Sequence, residues 1–238
     1  MRRVLARCAE LEQYTLTLTR QERLGLFRIL RGPEQIRCWF RREPFSVRMK
    51  WLDPDVKYGE STFVRGEEGD RVRFIPRHGL FGLPPILTKV TLQMPVIWGE
   101  SKHPLSDFGL ERLMQRTLAS IELSGDELVL EHLGRQTLAS PRRLTEGLRL
   151  TYPQAKFPVP VQEIYFDVES GLPAMTVIKT ADGQLDAFYR YDDVNVNVTL
   201  ADDDFILDAE RAQRADLVAG QARENEPQAG ASEDAGGP

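Results

Sequence analysis

Residues 161–205, VQEIYFDVESGLPAMTVIKTADGQLDAFYRYDDVNVNVTLADDDF, decide the fold. Runs rich in β-branched and aromatic residues are interrupted at Glu169-Ser170-Gly171 and at Ala181-Asp182-Gly183, and both interruptions have the length and glycine content of hairpin turns. The stretch therefore reads as three consecutive antiparallel strands. A meander this regular needs a larger sheet around it.

The N-terminal half supplies candidates for that sheet. Tyr14 to Arg20 alternates strictly, with Tyr14, Leu16 and Leu18 on the inward face and threonines outward. Gln35 to Arg42 places Ile36, Cys38 and Phe40 on one face, and Phe45, Val47, Met49 and Trp51 form the next inward row before the Asp53-Pro54 stop. Two more strands, Gly59 to Arg65 and Asp70 to Pro76, flank the glycine-bearing turn Gly66 to Gly69, and Phe74 joins the inward set. Strands resume at Asp126 to Leu133 and at Gly147 to Tyr152, and the prolines at 158 and 160 keep the approach to the meander extended.

Between the two sets of strands the pattern changes. His78 to Pro95 is broken by Gly79, Gly82, Pro84 and Pro85 and reads as an irregular apolar loop, with Leu80 to Leu87 as a lid over whatever lies beneath. Ser106 then reads as an N-cap, and Leu110, Leu113, Met114, Leu118 and Ile121 recur at helical spacing. That apolar stripe needs a face of the sheet to cover. A shorter amphipathic helix is expected at Val4 to Leu11. From residue 209 to 238 Ala, Gly, Glu and Gln dominate, so the single domain is expected to occupy 1–208 and to be followed by a disordered acidic tail.

With 238 residues, 41% hydrophobic and 28% charged, the chain has ordinary globular composition. A net charge of −5 argues against general nucleic-acid binding. Arginine is concentrated between residues 2 and 77; it reads either as the wet face of half-buried strands or as a site for an anionic partner such as a lipid headgroup. No run of about twenty apolar residues is present, so membrane association is peripheral at most. The opening MRRVLARCAE is not expected to be a signal peptide, because its apolar segment is short and Arg7 stands before Cys8 where a small residue is required; the expectation is either a cytoplasmic chain or a targeting segment upstream of Met1.

Chemistry-bearing motifs are sparse. Cys8 and Cys38 have neither metal-ligand spacing nor the density of a disulfide scaffold, and a bridge between them requires an oxidising compartment and side chains that meet. His78, His103 and His132 show no metal-ligand spacing, and Asp202-Asp203-Asp204 lacks the glycine and distal glutamate of a calcium loop and reads as a solvated turn. Asp192, Asp193 and Glu60 have no apparent partner for general acid–base work, no hydrolase elbow or phosphate loop occurs, and neither metal nor cofactor is expected. The aromatics of the first half, interleaved with arginine, lack a ribonucleoprotein signature and read as core, complete or hollow.

Several segments taken together carry a resemblance: YTLTLTRQER at 14–23, REPFSVRMKWL at 42–52, FVRGEEG at 63–69, HPLSDFGLERLM at 103–114 and YFDVESGLP…YRYDDVNVNVTL within 165–200. Over roughly residues 1–208 they resemble an uncharacterised bacterial family, itself similar to the lipoprotein carrier LolA and the lipoprotein receptor LolB. The resemblance implies an α+β, mainly β fold, a bent unclosed antiparallel β-barrel with a covering helix. It also implies an apolar concavity that receives acyl chains, and a periplasmic or cell-envelope location.

The combined expectation is a non-enzymatic carrier for a lipid or lipoprotein acyl chain. The cavity residues expected are Leu16, Leu18, Ile36, Phe40, Phe45, Val47, Met49, Trp51, Phe74, Leu113 and Leu118. Burying an alkyl chain contributes about 0.8 kcal/mol per methylene, enough to hold one without a charged contact. The rival expectations are an envelope interaction module with a filled core and, behind it, a hydrolase.

Overall fold

The computed structural model describes residues 1–79, 83–212 and 215. The chain opens with α1 (Arg2–Ala9) and then forms β1 (Gln13–Leu24), β2 (Ile29–Leu30), β3 (Glu34–Arg41), β4 (Ser46–Trp51), β5 (Tyr58–Val64), β6 (Arg71–Pro76) and β7 (Thr88–Thr91). Two helices follow, α2 (Met94–Ile97) and α3 (Leu110–Ser124). The second half is β8 (Val129–Leu138), β9 (Arg143–Thr151), β10 (Val161–Asp167), β11 (Pro173–Lys179) and β12 (Leu185–Asn195).

These strands make one antiparallel sheet in the order β7-β6-β5-β4-β3-β1-β12-β11-β10-β9-β8, with β2 paired to β1. From β1 the chain steps outward to one edge at β7, crosses by way of the helices to the other edge at β8, and steps back inward until β12 pairs with β1. Among the described residues no pairing joins β7 to β8, so the sheet stays unclosed. Register shifts interrupt the pairings β1–β12, β5–β6, β8–β9, β10–β11 and β11–β12. Each bulge adds local twist and bends its strand, and the sheet needs such bends to curl around a helix.

Cross-strand register explains the inner surface. Tyr14 lies opposite Phe40, Phe40 opposite Val47, and Val47 opposite Phe63; one row along, Leu16, Cys38, Met49, Ser61 and Phe74 are successive partners. The side-chain period of two thus places both rows on one face of the sheet. Helix α3 lies against that face, where the buried Gln162 Nε2 donates to Thr117 Oγ1 at 3.0 Å.

Three local expectations are corrected. The covering helix begins at Leu110 rather than after Ser106, which sits in a 3-10 turn at Leu105–Asp107. The segment from His78 to Pro95 is not wholly irregular: Thr88–Thr91 adds to the edge as β7, with Val90 opposite Val72. A strand of this length gives almost no alternation to read. Leu80 and Phe81 of the expected lid lie outside the described residues.

The third correction concerns the arginine-rich outer face, which is not simply wet. Residues 200–212 cross it as a strap that buries Phe205, Ile206 and Leu207 against the strands. Arg48, only 3% exposed, pairs with Glu60 at 3.0 Å and with Asp208 at 2.6 Å, and its guanidinium stacks over Trp39. Arg41 pairs with Asp202 and Arg73 with Glu210. Asp192 and Glu60, without an apparent partner in the sequence, are both paired, Asp192 with Arg143 and Arg190 and Glu60 with Arg48 and Lys50. The expected boundary between domain and tail at 208/209 falls within a helical segment, 208–212, while residues 213, 214 and 216–238 lie outside the description.

Cys8 and Cys38 are both free and buried. Burial pushes the Cys8 thiol up to about 12 and raises Cys38 as well. No helix among the described residues is long and apolar enough to cross a membrane.

Candidate functional site

The space between α3 and the sheet is solid at one end and hollow at the other. At the solid end Tyr14 stacks on Phe40 with ring centroids 4.6 Å apart, Phe45 meets Phe40 edge-on at 5.7 Å, and Phe63 lies 6.0 Å from Phe45. Offset and edge-to-face rings fill space at core density. At the other end the side chains stop short of one another and leave a cavity of about 330 Å³, within the range of small-ligand sites.

Six of the eleven expected residues line that cavity: Leu16, Leu18, Met49, Trp51 and Phe74 from the sheet, and Leu113 from the helix. Phe40, Phe45 and Val47 belong to the solid end, and Ile36 is fully buried between Leu18 and Trp51 in register without reaching the hollow. Leu118 faces away, bordering with Leu5 and Ala6 a shallow groove beside α1. Thr117, one turn beyond Leu113, takes the inward position instead.

The cavity also has a polar end that the sequence reading missed. Arg20 and Glu22 continue the alternation that starts at Tyr14, Leu16 and Leu18, so the signal was the strand period itself. The Tyr189 phenol donates to Glu22 Oε1. Arg20 Nη2 donates to Glu34 Oε2 at 2.7 Å, its Nη1 lies 3.7 Å from Glu22 Oε2, and Trp51 Nε1 donates to the same Glu34 oxygen at 3.1 Å. Burial, with the Glu22 charge adding to it, holds the Tyr189 phenol protonated well above its ordinary range. Burial opposes the charge on Arg20, and Glu22 and Glu34 outweigh it.

His103 lines the cavity near Arg116 and is lowered to about 4, first by burial and then by the Arg116 charge. His132 lies far along the chain on β8, with Nε2 at 2.8 Å from Glu146 Oε1. No group of three or more metal-ligating side chains occurs among the described residues. At the mouth, half-exposed Trp98 borders the opening, and the backbone at Gly99 packs closely on Gly25 of the β1–β2 turn. That turn projects Leu26 and Phe27 into solvent, 91% and 83% exposed.

The sequence profile described as "Protein of unknown function (DUF1571)" matches residues 11–213. The chain belongs to the DUF1571 family. Among curated proteins no sequence matches this DUF1571 chain. Among solved structures it is similar to MucB, at 19% identity and a TM-score of 0.50, over 88% of this chain and 63% of MucB. It is also similar to MucB in the Pseudomonas aeruginosa MucA/MucB complex, at 18% identity and a TM-score of 0.49, over 87% of this chain and 61% of that one. A LolA superfamily protein from Nitrosomonas europaea aligns at 10% identity and a TM-score of 0.35, over 87% and 98% of the two chains. The DUF1571 chain spans less than two thirds of MucB, and the likeness to MucB is one of fold. The expected family of unknown function and its unclosed, helix-covered antiparallel sheet are both found.

Proposed function

We propose that this protein is a non-enzymatic binding protein of the bacterial cell envelope that shelters the acyl chain of a lipid or lipoprotein, working in the periplasm and touching membranes only peripherally. One observation carries the reading: a largely apolar hollow of about 330 Å³ lies between sheet and helix. Leu16, Leu18, Met49, Trp51, Phe74 and Leu113 are its proposed chain contacts. The MucB likeness supports the envelope setting as an analogy of fold.

The rival reading, an interaction module with a filled interior, draws support from the solid Tyr14–Phe40–Phe45–Phe63 end and is opposed by the open half. Lipid extraction of the purified protein with mass spectrometry, paired with equilibrium uptake of an uncharged fluorescent alkyl probe, tests between them. The carrier reading expects saturable uptake that is abolished by Ser120→Trp, which fills the hollow from the helix side. A protein that neither yields lipid nor takes up the probe contradicts it.

A further inference from the structure

The hollow is not apolar throughout, and its polar end is incompletely satisfied. Glu22 lines the cavity and is 2% exposed, yet Oε2 has no hydrogen-bond partner while Oε1 accepts from Tyr189. Ser61, 5% exposed and on the same cavity wall, has an unpartnered Oγ as well. Buried polar atoms in folded proteins are nearly always paired, and a carboxylate oxygen is among the most costly to leave alone.

The surrounding charge decides what could satisfy it. Arg20 is shared between two carboxylates, Glu34 at 2.7 Å and Glu22 at 3.7 Å, and its Nη1 also reaches Ser101 Oγ at 3.4 Å. Glu34 is further satisfied by Trp51 Nε1. Around Arg20 one guanidinium therefore faces two carboxylates, and the carboxylate oxygen left over is Glu22 Oε2. An anionic head would find the arginine already engaged and a carboxylate beside it.

We propose that this end of the cavity receives the head of a single-chain amphiphile that bears a hydrogen-bond donor and no negative charge, a hydroxyl or an ammonium, with Glu22 as its acceptor. The proposal rests on the reading of the hollow as an alkyl-chain site and adds the chemistry of the head. Tyr189 occupies the other oxygen of the Glu22 carboxylate.

The test compares three probes with the same ten-carbon chain, decan-1-ol, decylamine and decanoate, titrated into the full chain at neutral pH. The wild-type protein should bind the alcohol and the amine about tenfold or more tightly than the carboxylate. Glu22→Gln keeps an acceptor for Tyr189 but replaces the charge with an amide, and should cut that preference to about threefold or less while retaining chain binding. Tyr189→Phe serves as the second variant: it frees both oxygens of Glu22 and should leave the preference intact or enlarge it. A purely structural role for Glu22 would weaken all three probes together and leave their ranking unchanged, which would overturn the proposal. Equal or tighter binding of decanoate to the wild-type protein would overturn it too, while leaving the chain-site reading standing. Failure of all three probes to bind would remove both.

Discussion

The backbone N–H of Leu110, the first residue of α3, donates to Tyr14 Oη on β1 at 3.0 Å. The covering helix is therefore anchored at its first turn by the central strand of the sheet it covers, and the same tyrosine ring begins the aromatic stack at the solid end. Tyr14→Phe keeps the ring and deletes the acceptor. A buried N–H left unpaired costs about 1–3 kcal/mol, so the unfolding free energy should fall by that amount and amide exchange at Leu110 should accelerate.

Gly109 precedes that turn with φ at +130° and ψ at 149°, a conformation L side chains rarely adopt. A Cβ there would also come within 3.2 Å of the Phe40 ring. Gly109→Ala should cost about 1–3 kcal/mol in chemical denaturation, by strain in the approach to the helix.

Acidification should weaken the fold through His103, held by burial at about 4 against its ordinary 6.5. A histidine kept neutral in the fold contributes its full stability above 6.5. As pH falls toward 4 the unfolded chain takes up the proton before the folded one, and the contribution is lost. Allowing for solvent at this half-buried ring, the loss is about 1–2 kcal/mol. The difference in unfolding free energy between wild type and His103→Gln, followed from pH 7 to 4, should vary across this window; a constant difference would contradict it.

The strap on the outer face gives a graded pair of outcomes. Arg48→Ala leaves Glu60, 6% exposed, without its closest cation, and removal of one partner from a buried ion pair costs about 3–5 kcal/mol. Lys50, 3.4 Å from Glu60, should keep the loss toward the low end. Asp208→Ala breaks a pairing whose carboxylate is about half exposed, and should cost about 1 kcal/mol. Urea unfolding of both variants measures the ordering.

The fold was legible where the strand period was long enough to read. The meander from Val161, the inward rows of β1, β3 and β4, and the apolar stripe of α3 all follow from apolar spacing alone. What escaped depended on distant partners. Ser106 has the local chemistry of a cap, but the helix starts where Tyr14, about a hundred residues upstream in sequence, meets Leu110. Phe40, Phe45 and Val47 have the same inward phase as Leu16 and Met49; which of them fill the core and which border a hollow depends on how closely α3 approaches each row. Arg20 and Glu22 lie on the same period and were passed over because charged residues on a strand usually face water.

The central claim is that the hollow takes an alkyl chain, and titration of straight-chain alcohols of increasing length into the purified protein tests it most directly. Each added methylene should tighten binding about fourfold, from ~0.8 kcal/mol per buried CH₂, until the cavity is filled and the series levels off. Affinity that does not change with chain length would contradict the account.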